Sequence, residues 1–371
     1  MKSSTGEHYL ALDHLRALAA FMVFAWHFMH YKNGYPVPFD VSVPWIISVF
    51  DEGHTGVALF MTLSGYLFAK LLGGRSIDYA PFLWNRALRL LPLLTLVLAI
   101  VGFQRIFIEG ASFVSYGKAV AAGVLLPSLP NGGWSITVEA HFYLLLPLLL
   151  WLSRLSKWIL PAFVVLMILV RFMLYAKLGE IQTLAYWTIV GRVDQFLLGI
   201  IAFQCRSVIS KPLVIMIIAL AGLTSTLHVF NLNGGFYNFP SYPSPSSAWV
   251  VLPSAEGLCY ALLIASYDVW FKAKGPVSLF ISKLGSYSYS IYLLHFFVVF
   301  RAAEFIHERV MDISDVWLAL AWSLICYVAM MPIGYLSFRF IESPFLRFRK
   351  RYVRSDSTQP LIHSELGRAV T

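Results

Sequence analysis

The feature that most constrains this chain is a series of about ten apolar stretches, each near the ~20 residues that a helix needs to cross a bilayer. They run approximately over residues 9–31, 43–70, 86–108, 132–152, 157–177, 183–205, 211–230, 250–271, 286–307 and 316–342. Across 371 residues, 58% are hydrophobic and only 13% charged, whereas a soluble domain carries about 25% charged residues. A mean hydropathy of +0.71 agrees. The expected fold is therefore all-α: a polytopic transmembrane helix bundle of about ten helices over residues 1–348, with a basic, then polar and disordered, cytoplasmic tail over 349–371. Arg16 and His27 in the first stretch, and the lack of a small-residue cleavage site after it, mark a retained helix rather than a cleaved leader.

Basic residues collect in the cytoplasmic loops of membrane proteins. With the N-terminus inside and Arg16, Arg192 and Arg339 set aside, 18 of the remaining 25 Lys and Arg fall on the cytoplasmic side and 7 on the outer side, Arg171 among the latter. That bias favours an even number of helices with both termini in the cytoplasm. The segment 231–249, rich in Asn, Gly, Pro and Ser and free of Lys and Arg, suits the outer side. The net charge of +9 belongs to these loops and not to a nucleic-acid surface, since no basic stripe lies on a polar face. Cys205, Cys259 and Cys326 are scattered and odd in number, which argues against a disulfide framework or a metal site. No permanently bound cofactor is expected.

Ionisable residues inside membrane segments are costly and by default mark function. Arg16 and His27 lie eleven residues apart. That is about three full turns, so they share one helix face roughly 16 Å apart along the axis; Asp13, three residues before Arg16, joins that face. An Arg near a helix end also snorkels to headgroups, and a lone His also serves as a packing residue. Lys70 and Arg75 follow the second segment, and Arg86 and Arg89 open the third as i, i+3 neighbours. The last two could clamp phosphates bidentately or simply anchor the helix. Glu139 in the fourth segment sits at the depth of His27 and needs a partner; a histidine paired to it would be oriented and more basic. Trp134, at the start of that segment, suits an interfacial belt or a stacking platform for a sugar. Arg192 and Asp194, Tyr289, Tyr292 and His295, and Glu342 read first as interhelical glue, with Arg192 and Asp194 too close in sequence to pair with each other.

Taken in order, LDHLRALAAFMVFAWHF, GVALFMTLSGYLF, RALRLLP, WSITVEAHFYLLLP, GRVDQFLLG, LGSYSYSIYLLH and FIESP resemble the blocks of acyltransferase family 3, bacterial integral-membrane O-acyltransferases. The resemblance implies acetyl-CoA as a co-substrate bound from the cytoplasm and a glycan or glycolipid hydroxyl presented at the outer side of the inner membrane. It implies that His27 is the essential histidine and that Arg16, Arg86 and Arg89 serve donor binding. Many members carry an extra extracytoplasmic hydrolase-like domain. The few residues after 348 lead us to expect none here, so that a second transfer step would need a partner protein.

The expected mechanism places the donor against Asp13, Arg16, Lys70, Arg86 and Arg89, with the thioester near His27 and the acceptor near Trp134, Ser135 and Glu139. His27 then acts as base for direct attack, or as nucleophile through an acyl-histidine. The competing reading is a secondary transporter or flippase that uses the same buried charges as a transport site. The lack of a repeat between the halves of the chain speaks against it.

Overall fold

The computed structural model describes residues 9–30, 43–73, 75, 77–238, 241–272 and 275–353. Among them every regular element is helical, and the one β pairing is an isolated bridge between Ile77 and Val353. We number the long helices α1 Leu10–Met29, α2 Gly53–Leu72, α3 Tyr79–Ile108, α4 Gly133–Leu155, α5 Ile159–Leu178, α6 Ile189–Cys205, α7 Pro212–Leu232, α8 Leu252–Trp270, α9 Ser288–Val310 and α10 Val316–Leu346. Each expected apolar segment overlaps one of them, with ends that differ by up to ten residues.

Six, namely α2, α3, α4, α5, α7 and α10, are long and apolar enough to cross a membrane; α9, bent by 57° near Val298, would be a seventh. The chain is an integral membrane protein. The other three long helices are shorter or less apolar because they carry charge: Asp13 and Arg16 on α1, Arg192 and Asp194 on α6, Glu256 and Asp268 on α8. Charged helices tolerate a membrane protein only from the inside, and α1 and α6 are buried along most of their length. Burial grades outward from there: 78% of the apolar window of α2 is buried, against 17% for α5.

The inner helices meet through glycine. A Cβ on Gly65 of α2 would stand 2.0 Å from the Phe196 carbonyl oxygen, and one on Gly199 of α6 would stand 2.0 Å from that of Thr62. Without side chains at these two points the backbones can touch, the usual way for helices to gain van der Waals energy where lipid supplies no hydrophobic drive. The short helix Pro276–Ser286 packs on α1 in the same way, with a Cβ on Gly285 falling 1.8 Å from the Asp13 carbonyl oxygen.

Ion pairs complete the interior. Arg171 of α5 is fully buried and binds Asp194 of α6 at 2.8 Å, Ser254 of α8 at 2.7 Å and the Val250 carbonyl at 2.8 Å. Its count among the outer-side charges is thus corrected: Arg171 lies buried inside α5, because Asp194 and Ser254 satisfy its guanidinium there. Arg192 stands 3.7 Å from Glu256 of α8 and donates to the Tyr186 carbonyl. As expected, Arg192 and Asp194 pair with other helices and not with each other.

After α10 the chain turns back under the start of α3. Lys350 exchanges two hydrogen bonds with Asn85, at 2.7 and 2.9 Å, and Tyr352 is buried against Phe82. Residues 349–353 of the expected tail are thus docked; 354–371 lie outside the described residues.

Candidate active site

Two cavities open along one face of α1. Between residues 22 and 30, only His27 is not buried; Arg16, Leu18 and Phe21 are the other partly exposed positions of the helix after residue 11. The first cavity, of about 780 Å³, is lined by Arg16, by Arg86 and Arg89 of α3, and by Ser135, Glu139 and Tyr143 of α4. The second, of about 1490 Å³, is lined by His27 and a wall of aromatic rings that includes Trp26, Trp134, Tyr186 and Tyr237. Val57 of α2 and Tyr292 of α9 line both cavities, so the two meet there. The helical period that puts Arg16 and His27 on one face thus delivers a guanidinium to one chamber and an imidazole to the next, roughly 16 Å apart along the axis.

In the first cavity, Asp13 fixes Arg16 through a 2.9 Å ion pair and is itself buried. Ser282 of the Gly285 helix donates to the other Asp13 oxygen at 3.4 Å. Arg86 stacks over Phe68 and Phe82, its carbon 5.3 and 5.7 Å from the ring centres. Glu139 accepts hydrogen bonds from Tyr143 and, at 3.4 Å, from Ser64. Lys70 is drawn elsewhere: it forms a 2.6 Å ion pair with Asp268 of α8, which also accepts from Tyr66.

In the second cavity, His27 and His295 stand 3.2 Å apart, Nδ1 to Nε2. The tautomers follow from the partners. His295 Nδ1 faces the Tyr292 carbonyl at 2.6 Å, so it carries the proton and Nε2 keeps its lone pair. His27 Nδ1 faces two acceptors, that lone pair and the Val23 carbonyl at 2.9 Å, and so donates. The Nε2 atom of His27 is left with a lone pair. The Tyr292 carbonyl would pair with the amide of residue 296 in an unbroken helix. Its use by the His295 ring belongs with the break that bends α9.

The expected pairing of His27 with Glu139 is corrected. A common depth does not make two side chains face each other: Glu139 turns into the first cavity, and the partner of His27 is His295. Trp134 is buried against Tyr186 and Trp187, with ring centres 5.0 and 4.5 Å away, and is an interior wall rather than an interfacial belt. Ser135 belongs to the first cavity, where its hydroxyl bonds that of Tyr292 at 2.9 Å. Tyr292 and His295 are the positions sequence reasoning passed over as packing. Their spacing of three residues, beside Tyr289, is the signal that was available.

The profile of a family described as an acyltransferase domain matches residues 9–339. The O-acetyltransferase OatA of Staphylococcus aureus (strain MRSA252) is 25% identical over 407 aligned positions, covering 97% of this chain and 60% of that protein. A putative O-acetyltransferase of S. aureus strain COL is 24% identical, covering 94% of this chain and 58% of that protein. The chain thus spans about 60% of the length of the curated relatives it matches. No solved structure matches it.

Proposed function

The chain belongs to acyltransferase family 3, and from that premise we propose that it carries an acetyl group from cytoplasmic acetyl-CoA to a hydroxyl of a glycan or glycolipid at the outer side of the bacterial inner membrane. In this reading all ten long helices form the membrane bundle and both termini are cytoplasmic. The observation that carries the proposal is the pair of chambers joined at Val57 and Tyr292, one lined by guanidiniums and the other by His27 and aromatic rings.

The donor's phosphates are held on the side of Arg86 and Arg89, and its pantetheine arm passes Arg16, which Asp13 holds in place. Lys70, tied to Asp268, takes no part in this path. The acceptor occupies the second chamber, where flat apolar rings such as Trp134 suit the face of a sugar. His27 Nε2 takes the proton of the acceptor hydroxyl as its oxygen attacks the thioester carbonyl carbon. The carbon–sulfur bond then breaks, and the thiolate leaves with the proton from the imidazolium. We assign to Tyr292, braced by Ser135, the hydrogen bond to the oxyanion. Glu139 orients the donor side through Ser64 and Tyr143. Only the acyl group changes sides, so no charged donor crosses lipid.

The test is transfer of label from acetyl-CoA in inside-out membrane vesicles, with label counted in the glycan and lipid fractions. Loss of a general base costs roughly 10²- to 10⁴-fold. His27→Ala, at protein levels matched to wild type, should therefore transfer essentially none. Equal transfer by the two would reduce His27 to a packing residue. Uptake or efflux that follows an ion gradient, with no transfer by the wild type, would favour a transporter.

A further inference from the structure

The segment that follows α10 is built into the protein at five points within six residues. Trp84 donates to the Phe348 carbonyl at 3.2 Å, Asn85 exchanges two hydrogen bonds with Lys350, and the Asp78 amide donates to the Tyr352 carbonyl at 2.7 Å. The Tyr352 ring lies against Phe82, 5.6 Å between centres, and Val353 bridges to Ile77. All five partners lie on or just before the first turns of α3, the part of the helix that carries Arg86 and Arg89.

This strap brings one more cation to a place that already holds two. The Nε atoms of Arg86 and Arg349 are both buried, and neither has a hydrogen-bond partner. Burial, and then repulsion from Arg89 and Arg86, lower the Arg349 pKa to about 10. A cation that merely anchors a helix end reaches out to water or headgroups. Here buried guanidinium nitrogens are left without acceptors and like charges are held together, an arrangement that costs energy until an anion enters. Guanidinium forks at close quarters match the paired oxygens of phosphates. Arg347, two residues earlier, shows the contrast: it is exposed and stacks on Phe348 at 4.8 Å.

We propose that Arg349 joins Arg86 and Arg89 in a phosphate-binding site, walled on one side by the strap, that takes the nucleotide end of the acyl donor. This rests on the donor reading above. The same chemistry would also suit the phosphate of a lipid headgroup, and the two sources can be told apart.

The experiment is calorimetric binding of coenzyme A to the full chain in nanodiscs of phosphatidylcholine alone, repeated with phosphatidylglycerol added. Arg349→Gln should weaken binding roughly tenfold, the worth of one hydrogen bond to a charged group, and should flatten its salt dependence. Arg349→Lys should fall between the two, and Arg347→Gln should bind as wild type. Asn85→Ala, which frees the strap without removing charge, should also weaken binding. It carries the test, with the lysine variant, if Arg349→Gln fails to fold. Binding by Arg349→Gln equal to that of wild type and of Arg347→Gln overturns the donor assignment. If that variant also loses phosphatidylglycerol that the wild type retains, the site stands and its phosphate is a headgroup. A wild type that binds no coenzyme A in either disc overturns the donor reading itself, and this proposal with it.

Discussion

His27 is held by a second histidine, and this changes what its neighbour is expected to do. Since the lone pair of His295 Nε2 receives the Nδ1 proton of His27, the proposed mechanism makes His295 a positioning residue, which keeps the other nitrogen of His27 free to take a proton. His295→Ala should lower kcat about 10- to 100-fold, part of what a whole base is worth, and leave the KM for acetyl-CoA near wild type. His295→Gln, whose amide oxygen can accept in place of Nε2, should recover part of the loss. A purely structural role would instead move the thermal unfolding of both variants and spare kcat in the folded fraction. At this scale the functional face of α1 was legible, because helical period alone decides that residues 16 and 27 align. The partner of His27 was not. Glu139 has the right depth, but depth along an axis leaves open which way a side chain turns, and only the packing of α4 against α2 and α3 turned it into the first cavity.

Helices, rather than residues, explain why so many charges survive inside this protein. Arg171 of α5 is paired to Asp194 of α6 and Ser254 of α8 with no exposed surface on either charged side chain. Removing one partner of such a buried pair strands the other charge and costs about 3–5 kcal/mol. Arg171→Ala should therefore lower the unfolding temperature of the detergent-solubilised protein sharply. Adding Asp194→Asn should recover part of that loss, since the stranded charge is gone; no recovery would mean that the pair is not what joins α5 to α6. The ten apolar segments each overlap one of ten long helices because each is a continuous run of side chains suited to lipid or to a packed interior. The short helices Phe113–Leu125 and Pro276–Ser286 were missed, since their runs are too brief to stand out from loops. Hydropathy also could not rank the helices by depth. α1, α6 and α8, the least suited to lipid by composition, hold the ion pairs and the face that carries Arg16 and His27, and they are tolerated because other helices shield them.

At the scale of the molecule, the proposed function implies a direction, with donor on one side of the membrane and acceptor on the other. The direction can be read independently of any chemistry. In a cysteine-free background, Ser241→Cys in the loop after α7 should react with a membrane-impermeant maleimide in intact cells. Lys157→Cys in the turn between α4 and α5 should react only after permeabilisation. The reverse pattern would invert the proposed topology and put the guanidinium-lined cavity outside, where no acyl-CoA is found. The residue sequence by itself determined that this is a helical membrane protein and which few polar side chains were worth suspecting. Both follow from short-range rules: the length of an apolar run, the period of a helix and the cost of a charge in lipid. The tertiary structure alone decided that the suspected residues divide between two chambers, that His27 answers to His295, that Lys70 is spent on Asp268, and that the strap after α10 returns Arg349 to Arg86 and Arg89. Those pairings join residues dozens to hundreds of positions apart, and they depend on how whole helices pack rather than on any local pattern.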